Sequence, residues 1–336
     1  MNILITSAGR RGYLVEYFKK SLNGNGLVYV GNSSPIASAV VHGDRFIKTP
    51  NIYDEEYIPF LLSFCISQNI EMIISLFDID LTVLAHNRHI FERNNIRVIV
   101  SDEKVVSICN DKWKTYNFCK QNSIETPWSC LNIDQVINCI DLKQINYPIV
   151  VKPRWGMGSI GVHYAYDELE LRALTNICKR EIETTYLKYE TGIRLEESVI
   201  YQEKIQGQEY GLDIINDLKG DYQTCVIRKK IAMRSGETDS AIVERNPYCE
   251  ELAKRIAEGL RHIGNMDVDV IISGEKTYLL EMNARFGGGY PFSHCAGIDL
   301  PSAIIKWCNN EVLSDELTVK EYNKLYMKEL IISRAE

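Results

Sequence analysis

The chain has 336 residues, a formal net charge of −7 and an apolar fraction of 45%, which fit two or three compact units with real cores. The acidic balance, with no basic run longer than Arg228-Lys229-Lys230, argues against nucleic acid as a partner. Ten cysteines without a C-x-x-C spacing disfavour a zinc site or a dithiol pair. With no signal-peptide pattern and no apolar run long enough for a bilayer, they point to reduced thiols in a cytoplasm.

The first hundred residues alternate strands (Ile3–Thr6, Leu27–Gly31, Met72–Leu76, Val98–Val100) with helices (Tyr13–Leu22, Asp54–Gln68, Leu81–Arg93). That repetition predicts a parallel sheet covered on both faces. Gly9 and Gly12 mark a strand-to-helix turn suited to an anion, but G-x-x-G lacks the full dinucleotide fingerprint. The turn reads as a scaffold lending a loop to a site elsewhere. Asp78 and Asp80 close a strand of this sheet, where ligands bind, and are expected to recognise an amino group. His86 and His89 share a helix face without a third ligand and read as surface histidines.

Asp111 is placed to cap a helix over Lys112–Asn122. Tyr147–Pro153 reads as a short buried strand ending in Lys152, and a buried ammonium needs an anionic partner. Glycines 156, 158 and 161 then make a loop whose backbone can approach a ligand; it is not a Walker A loop. Strands follow over Tyr201–Ile205, from Gly207–Asp213 onward, and over Thr224–Ile231. Arg234–Asp239 reads as a substrate-side loop, with Arg234 either holding a substrate carboxylate or belonging to a solvated turn. Asn246-Pro247 opens a helix whose buried face is Leu252, Ile256, Leu260 and Ile263.

Asp267–Ile272 and Thr277–Asn283 read as a hairpin. Val268, Val270 and Ile272 form one apolar face, matched by Tyr278, Leu280 and Met282. Matching those faces calls for an odd loop, Ser273–Glu275, and sets Asp267 opposite Glu281. Burial alone then gathers Asp267, Glu281 and Asn283, and carboxylates that close require a cation. Asp269 reads as a neighbouring structural carboxylate. Arg285 and three glycines come next, with Gly288 free to bring its backbone to a substrate. His294 reads as a cap or core residue.

Asn110-Asp111-Lys112, Val150–Pro153 with Gly156–Gly161, Gln202–Ile205 with Glu209, and the set Asp267, Glu281, Asn283, Arg285 stand in one order after the opening strand and turn. Together they resemble the ATP-grasp superfamily over nearly the whole chain, most closely the ligase units of carbamoyl-phosphate synthase large subunits and their stand-alone relatives. The resemblance implies an α/β parallel-sheet domain (1–105), then an ATP-grasp fold whose two α+β subdomains (106–200 and 201–336) sandwich ATP. It implies phosphate contacts from Lys112, Lys152, Gly158 and Ser159, and adenine contacts from Gln202, Glu203, Lys204 and Ile205, with backbone groups around Glu203 and Ile205 reading the base edge. Glu209 would hold the ribose. Asp267, Glu281 and Asn283 would hold one or two magnesium ions, or manganese, and Arg285, Asn283 and Lys152 would carry the chemistry. Arg234, Gly288, Asp78 and Asp80 would face the substrates. The implied reaction activates a carboxylate as an acyl phosphate, to be joined to an amine, with ADP released. Carboxyphosphate or carbamate chemistry on bicarbonate, and a non-catalytic nucleotide sensor, are the alternatives. Expected partners are small molecules rather than nucleic acid or membrane, and a homodimer is an analogy with the superfamily.

Overall fold

The computed structural model describes residues 1–192, 195–332 and 334. Three sheets organise them. The first is parallel: β1 (Asn2–Thr6), β2 (Val28–Asn32), β3 (Arg45–Lys48), β4 (Ile70–Ser75) and β5 (Arg97–Ile99) stand in the order β3-β2-β1-β4-β5. The short, largely exposed β3 is an edge strand with no apolar run to announce it. The order reverses between β1 and β4, which opens a crevice at their C-terminal ends. The turn after β1 and Asp78 after β4 both lie there.

The second sheet is antiparallel: β6 (Ser129–Cys130), β7 (Ile149–Pro153), β8 (His163–Ala165) and β9 (Val199–Glu203), in the order β6-β9-β7-β8. Helices Ile133–Asp141 and Glu168–Thr184 contribute Val136, Leu171, Cys178 and Ile182 to its core. The third sheet is also antiparallel, in the order β14-β13-β10-β11-β12-β15. Its strands are β10 (Gln208–Asn216), β11 (Tyr222–Arg234), β12 (Glu237–Glu244), β13 (Gly264–Ser273), β14 (Lys276–Asn283) and β15 (Lys324–Met327). Asn246 caps helix Pro247–Leu260, which buries Leu252, Ile256 and Leu260 in this sheet's core. Ile263 lies past the helix end, where Arg261 turns left-handed. Helices Glu103–Asn110 and Lys112–Gln121 pack into the same core through Val105, Cys109, Phe118 and Cys119.

Two local expectations are corrected. The segment 234–239 is the end of a hairpin: Arg234 pairs with Glu237, and Ser235 and Gly236 carry φ of 49° and 78°, suiting a two-residue turn. The β13–β14 hairpin turns on two residues, Gly274 and Glu275, because Ser273 pairs with Lys276. A β-bulge at Leu280 supplies the odd residue, since Val270 pairs with Leu279 and Asp269 with Glu281. Asp267 therefore stands opposite Asn283. Leu279 and Met282 enter the core, whereas Leu280 and Glu281 both face the cleft described next.

Candidate active site

The second and third sheets border an open cleft of about 890 Å³. Lys112, Lys152, Ser159, Gln202, Glu203, Lys204, Ile205 and Glu209 line it. Gly158 lines an adjoining cleft together with Ser159.

Capping positions the two lysines. Asp111 Oδ1 accepts from the Trp113 and Lys114 amides at 3.0 and 3.3 Å. Arg154, just beyond β7, binds both Asp111 oxygens at 2.8 Å. The helix start is thus pinned to the end of β7, and Lys112 and Lys152 reach the same cleft. Lys112 donates to the Gly156 carbonyl and lies 4.0 Å from Glu281. Lys152 is buried and donates to Gln202 Oε1 at 2.7 Å, while Gln202 donates onward to Ser129 at 3.0 Å. Its hydrogen-bond partner is a neutral amide. Burial, with Lys112 adding, pulls the Lys152 ammonium down to about 8, against the weaker pull of Glu281 and Asp269.

Val150, Ile160, Ile271 and Leu280 give the cleft apolar walls. The Lys204 ammonium sits 4.7 Å from the centre of the Tyr164 ring. The Glu203 amide donates to the Trp128 carbonyl at 2.9 Å, so it is already engaged and not free for a base edge. Glu209 is half-exposed, 3.8 Å from Lys230. Trp155 packs against the Arg154 guanidinium at 4.3 Å, which holds it to the protein.

At the acidic end, the pairing and surroundings of the two β13 aspartates differ from expectation. Asp267 is held by Arg228 at 3.2 Å and Arg285 at 3.7 Å, and a Cβ on Gly287 would stand 2.1 Å from its carboxyl carbon. Burial raises the Asp267 pKa, and Asp269 adds to this, while the two guanidiniums oppose it. Asp269, read as a bystander, pairs across the ladder with Glu281 and takes Lys230 at 2.8 Å. The shorter turn and the bulge each shift the register by one residue, and together they move the acid that faces Glu281 from 267 to 269. Among the described residues no group of three or more His, Cys, Asp or Glu is placed to hold a metal alone. Magnesium does not need one, since it keeps waters and bridges one or two carboxylates to phosphates. Glu281, part-exposed to the cleft, fits that role with Asn283 and Asp269.

Arg285 binds Asp78 Oδ2 through Nε at 3.0 Å and Nη2 at 2.8 Å. Burial works against its charge, and Asp78 and Asp267 outweigh burial, so its pKa is raised. Asp78, expected at an amino group, is therefore the counter-ion of Arg285; its Oδ1 is buried without a partner. Asp80 does not face substrate. It is fully buried and accepts from Thr6, Ser75, Tyr57 and Ser7 at 2.6 to 3.1 Å, and burial pushes its carboxyl up. Arg234 is half-exposed at the hairpin end and paired with Asp239 at 2.9 Å. Its neighbours Gly236 and Glu237 line the adjoining cleft with Gly288. His294 stacks on Tyr17 at 3.7 Å, a core role, and His86 is exposed beside Glu103. Sequence reasoning passed over Lys230 and Arg11. Lys230 had a signal, since it alternates with Arg228 on one strand face; Arg11 had none beyond its place in a turn.

Residues 109–289, more than half of the chain, match the family description "ATP-grasp domain". The chain belongs to the ATP-grasp family. Residues 3–99 of this ATP-grasp protein match "PylC-like, N-terminal domain". It is 21% identical over 252 residues to the carbamoyl phosphate synthase large chain of Clostridium acetobutylicum, covering 70% of this chain and 22% of that protein. It is 25% identical over 201 residues to a D-alanine–D-alanine ligase of Bacillus anthracis, covering 57% and 60%. It thus spans less than two thirds of both relatives. Its fold is similar to the biotin carboxylase domain of Hydrogenobacter thermophilus 2-oxoglutarate carboxylase, solved with MgADP, ADP and bicarbonate. The TM-score is 0.74 at 16% identity, covering 96% of this chain and 73% of that one. A parallel N-terminal sheet followed by two antiparallel units is the architecture that the sequence motifs implied. No helix among the described residues is long and apolar enough to cross a membrane.

Proposed function

We propose that this ATP-grasp protein is an ADP-forming ligase that activates a carboxylate as an acyl phosphate and joins it to an amine. The supporting observation is Lys152: a buried ammonium with an amide for its partner, set beside Lys112 and facing Glu281. A buried cation of that kind is stabilised by an incoming anion, and a polyphosphate spanning both lysines supplies it. Gly158 and Ser159, at φ of 62° and 59°, bring loop backbone to the same place. Glu281, Asn283 and Asp269 would hold magnesium, which when bound neutralises charge on the phosphates.

Arg285 lines the adjoining cleft together with Asp269, Glu281 and Asn283, where it would stabilise charge on the phosphoryl group in flight. A carboxylate oxygen attacks the γ-phosphorus as the bond to ADP breaks. The amine then attacks the acyl carbon, phosphate leaves, and the nitrogen gives up its proton. Positioning and charge dominate both steps, so no dedicated base is required of the chain. The test is ADP release from magnesium-ATP with pooled carboxylic and amino acids, with hydroxylamine present. ADP together with a hydroxamate supports the reading. ADP without hydroxamate turns it toward carboxyphosphate chemistry, and tight binding without ADP removes it.

A further inference from the structure

The adjoining cleft, about 730 Å³, shares Ser159, Asp269 and Glu281 with the nucleotide cleft and is bounded beyond them by Arg11, Glu237 and Gly288. Its cations are not compensated alike. Arg285 is met by Asp78 and Asp267, Arg228 by Asp213 and Asp267, and Lys230 by Asp269. Arg11 donates to the Leu76 carbonyl and forms no ion pair among the described residues. Near it, Arg10 and Lys328 share one carboxylate, Glu237, at 3.4 and 3.3 Å. Glu237, a carboxylate of this cleft that pairs with none of Arg285, Arg228 and Lys230, is thus already shared by two cations outside the lining.

The position of Arg11 is built rather than incidental. Ser7 and Gly9, at φ of 54° and 56°, turn the chain after β1, and the Leu76 carbonyl after β4 holds the guanidinium at the switch point of the first sheet. Helix Gly12–Leu22 begins immediately after it, and that helix end adds its own positive potential. Burial and the neighbouring Arg285 work against the charge on Arg11; Tyr13, Asp78 and Asp267 favour it less strongly, and no carboxylate pairs with it directly among the described residues. A partly buried cation kept without a counter-ion is the signature of a site whose ligand brings the opposite charge.

We propose that Arg11 binds an anionic group of the acid substrate other than the carboxylate being activated. The acid is then a dicarboxylate, an acidic amino acid or a phosphorylated acid rather than a simple monocarboxylate. Only the identity of the occupant as the acid rests on the ligase reading.

Two arms test this. In the first, ADP release is measured over a panel of monocarboxylates, dicarboxylates, acidic amino acids and phosphorylated acids. Acids with a second anion should dominate, and their subclass identifies the group bound. Arg11→Gln should raise the KM of the best acid about tenfold to a hundredfold, the scale of a hydrogen bond to a charged group. The KM of ATP should not move, and Arg11→Lys should recover part of the loss. In the second arm, protein loaded with magnesium-ADP is titrated calorimetrically with the same panel. Dianion binding that is lost in Arg11→Gln, without ADP release in either protein, keeps the anion site and removes the ligase reading. A monocarboxylate as best substrate, an unchanged KM in Arg11→Gln, or no panel member bound in either arm overturns the proposal.

Discussion

Lys152 and Glu281 make the sharpest single-residue tests. Lys152 titrates near 8 in the folded chain, below the ordinary ammonium value of 10.5, because it is buried. Between those values the unfolded chain binds the extra proton, so this group's penalty on stability is full below pH 8 and fades as pH rises. Phosphate oxygens reverse the preference, since they favour the charged ammonium. ADP binding at about pH 8.5 should therefore take up a proton. Calorimetry in buffers of different ionisation enthalpy should show the uptake in the native protein and lose it in Lys152→Met; a buffer-independent enthalpy in the native protein contradicts the assignment. Glu281→Gln keeps the side chain's size and removes its charge. Turnover should fall about a hundredfold or more, the scale of a metal ion's electrostatic contribution. Metal-free ADP affinity should hold, and undiminished turnover would mean that the metal lies elsewhere.

At the scale of elements, the bulge in β14 decides the chemistry of the cleft. Regular alternation would send Leu280 to the core; the bulge sends Leu279 there and turns Leu280 outward beside Glu281. Leu279→Ala should therefore cost about 2 to 5 kcal/mol of stability in urea melts, with little effect on nucleotide affinity. Leu280→Ala should do the reverse, weakening ADP several-fold while costing under about 1 kcal/mol. The opposite pattern would restore the unbulged register. Strand positions, the Asp111 and Asn246 caps and the alternation of Glu281, Asn283 and Arg285 are legible in sequence because each follows from local period or local bonding. The pairing of Asp269 rather than Asp267 with Glu281 is not, since a turn shorter by one residue and a one-residue bulge shift the ladder by two and leave the composition of both strands unchanged. Nor is the pairing of Arg285 with Asp78, which joins residues 207 positions apart. Asp80 misled for a related reason: a carboxylate at a strand end is equally suited to a ligand and to the four hydroxyls that hold it here.

The whole molecule is less divisible than its three sheets suggest. One core joins Ile3, Leu14, Phe18 and Met72 of the first unit to Ile215, Val226, Val243, Phe286, Tyr290, Leu300 and Ile304 of the last. Those seven side chains are almost fully buried. At about 1.5 to 3 kcal/mol for each large apolar side chain, uncovering even part of this surface costs on the order of 10 kcal/mol, comparable to the net stability of an ordinary domain. Removing the first unit also strips Asp78 from Arg285, whose guanidinium is 8% exposed in the intact chain, and leaves Asp267 as its remaining ion-pair partner. A chain of residues 106–336 should therefore lack a cooperative urea transition and bind a hydrophobic dye, although its family motifs are intact. Supplying residues 1–105 as a separate chain should restore the transition, because the lost contacts are packing contacts and need no peptide connection. A fragment that melts cooperatively alone would show that the shared core is an interface between independent domains. Arg11 would then be delivered to the cleft by domain docking rather than by folding.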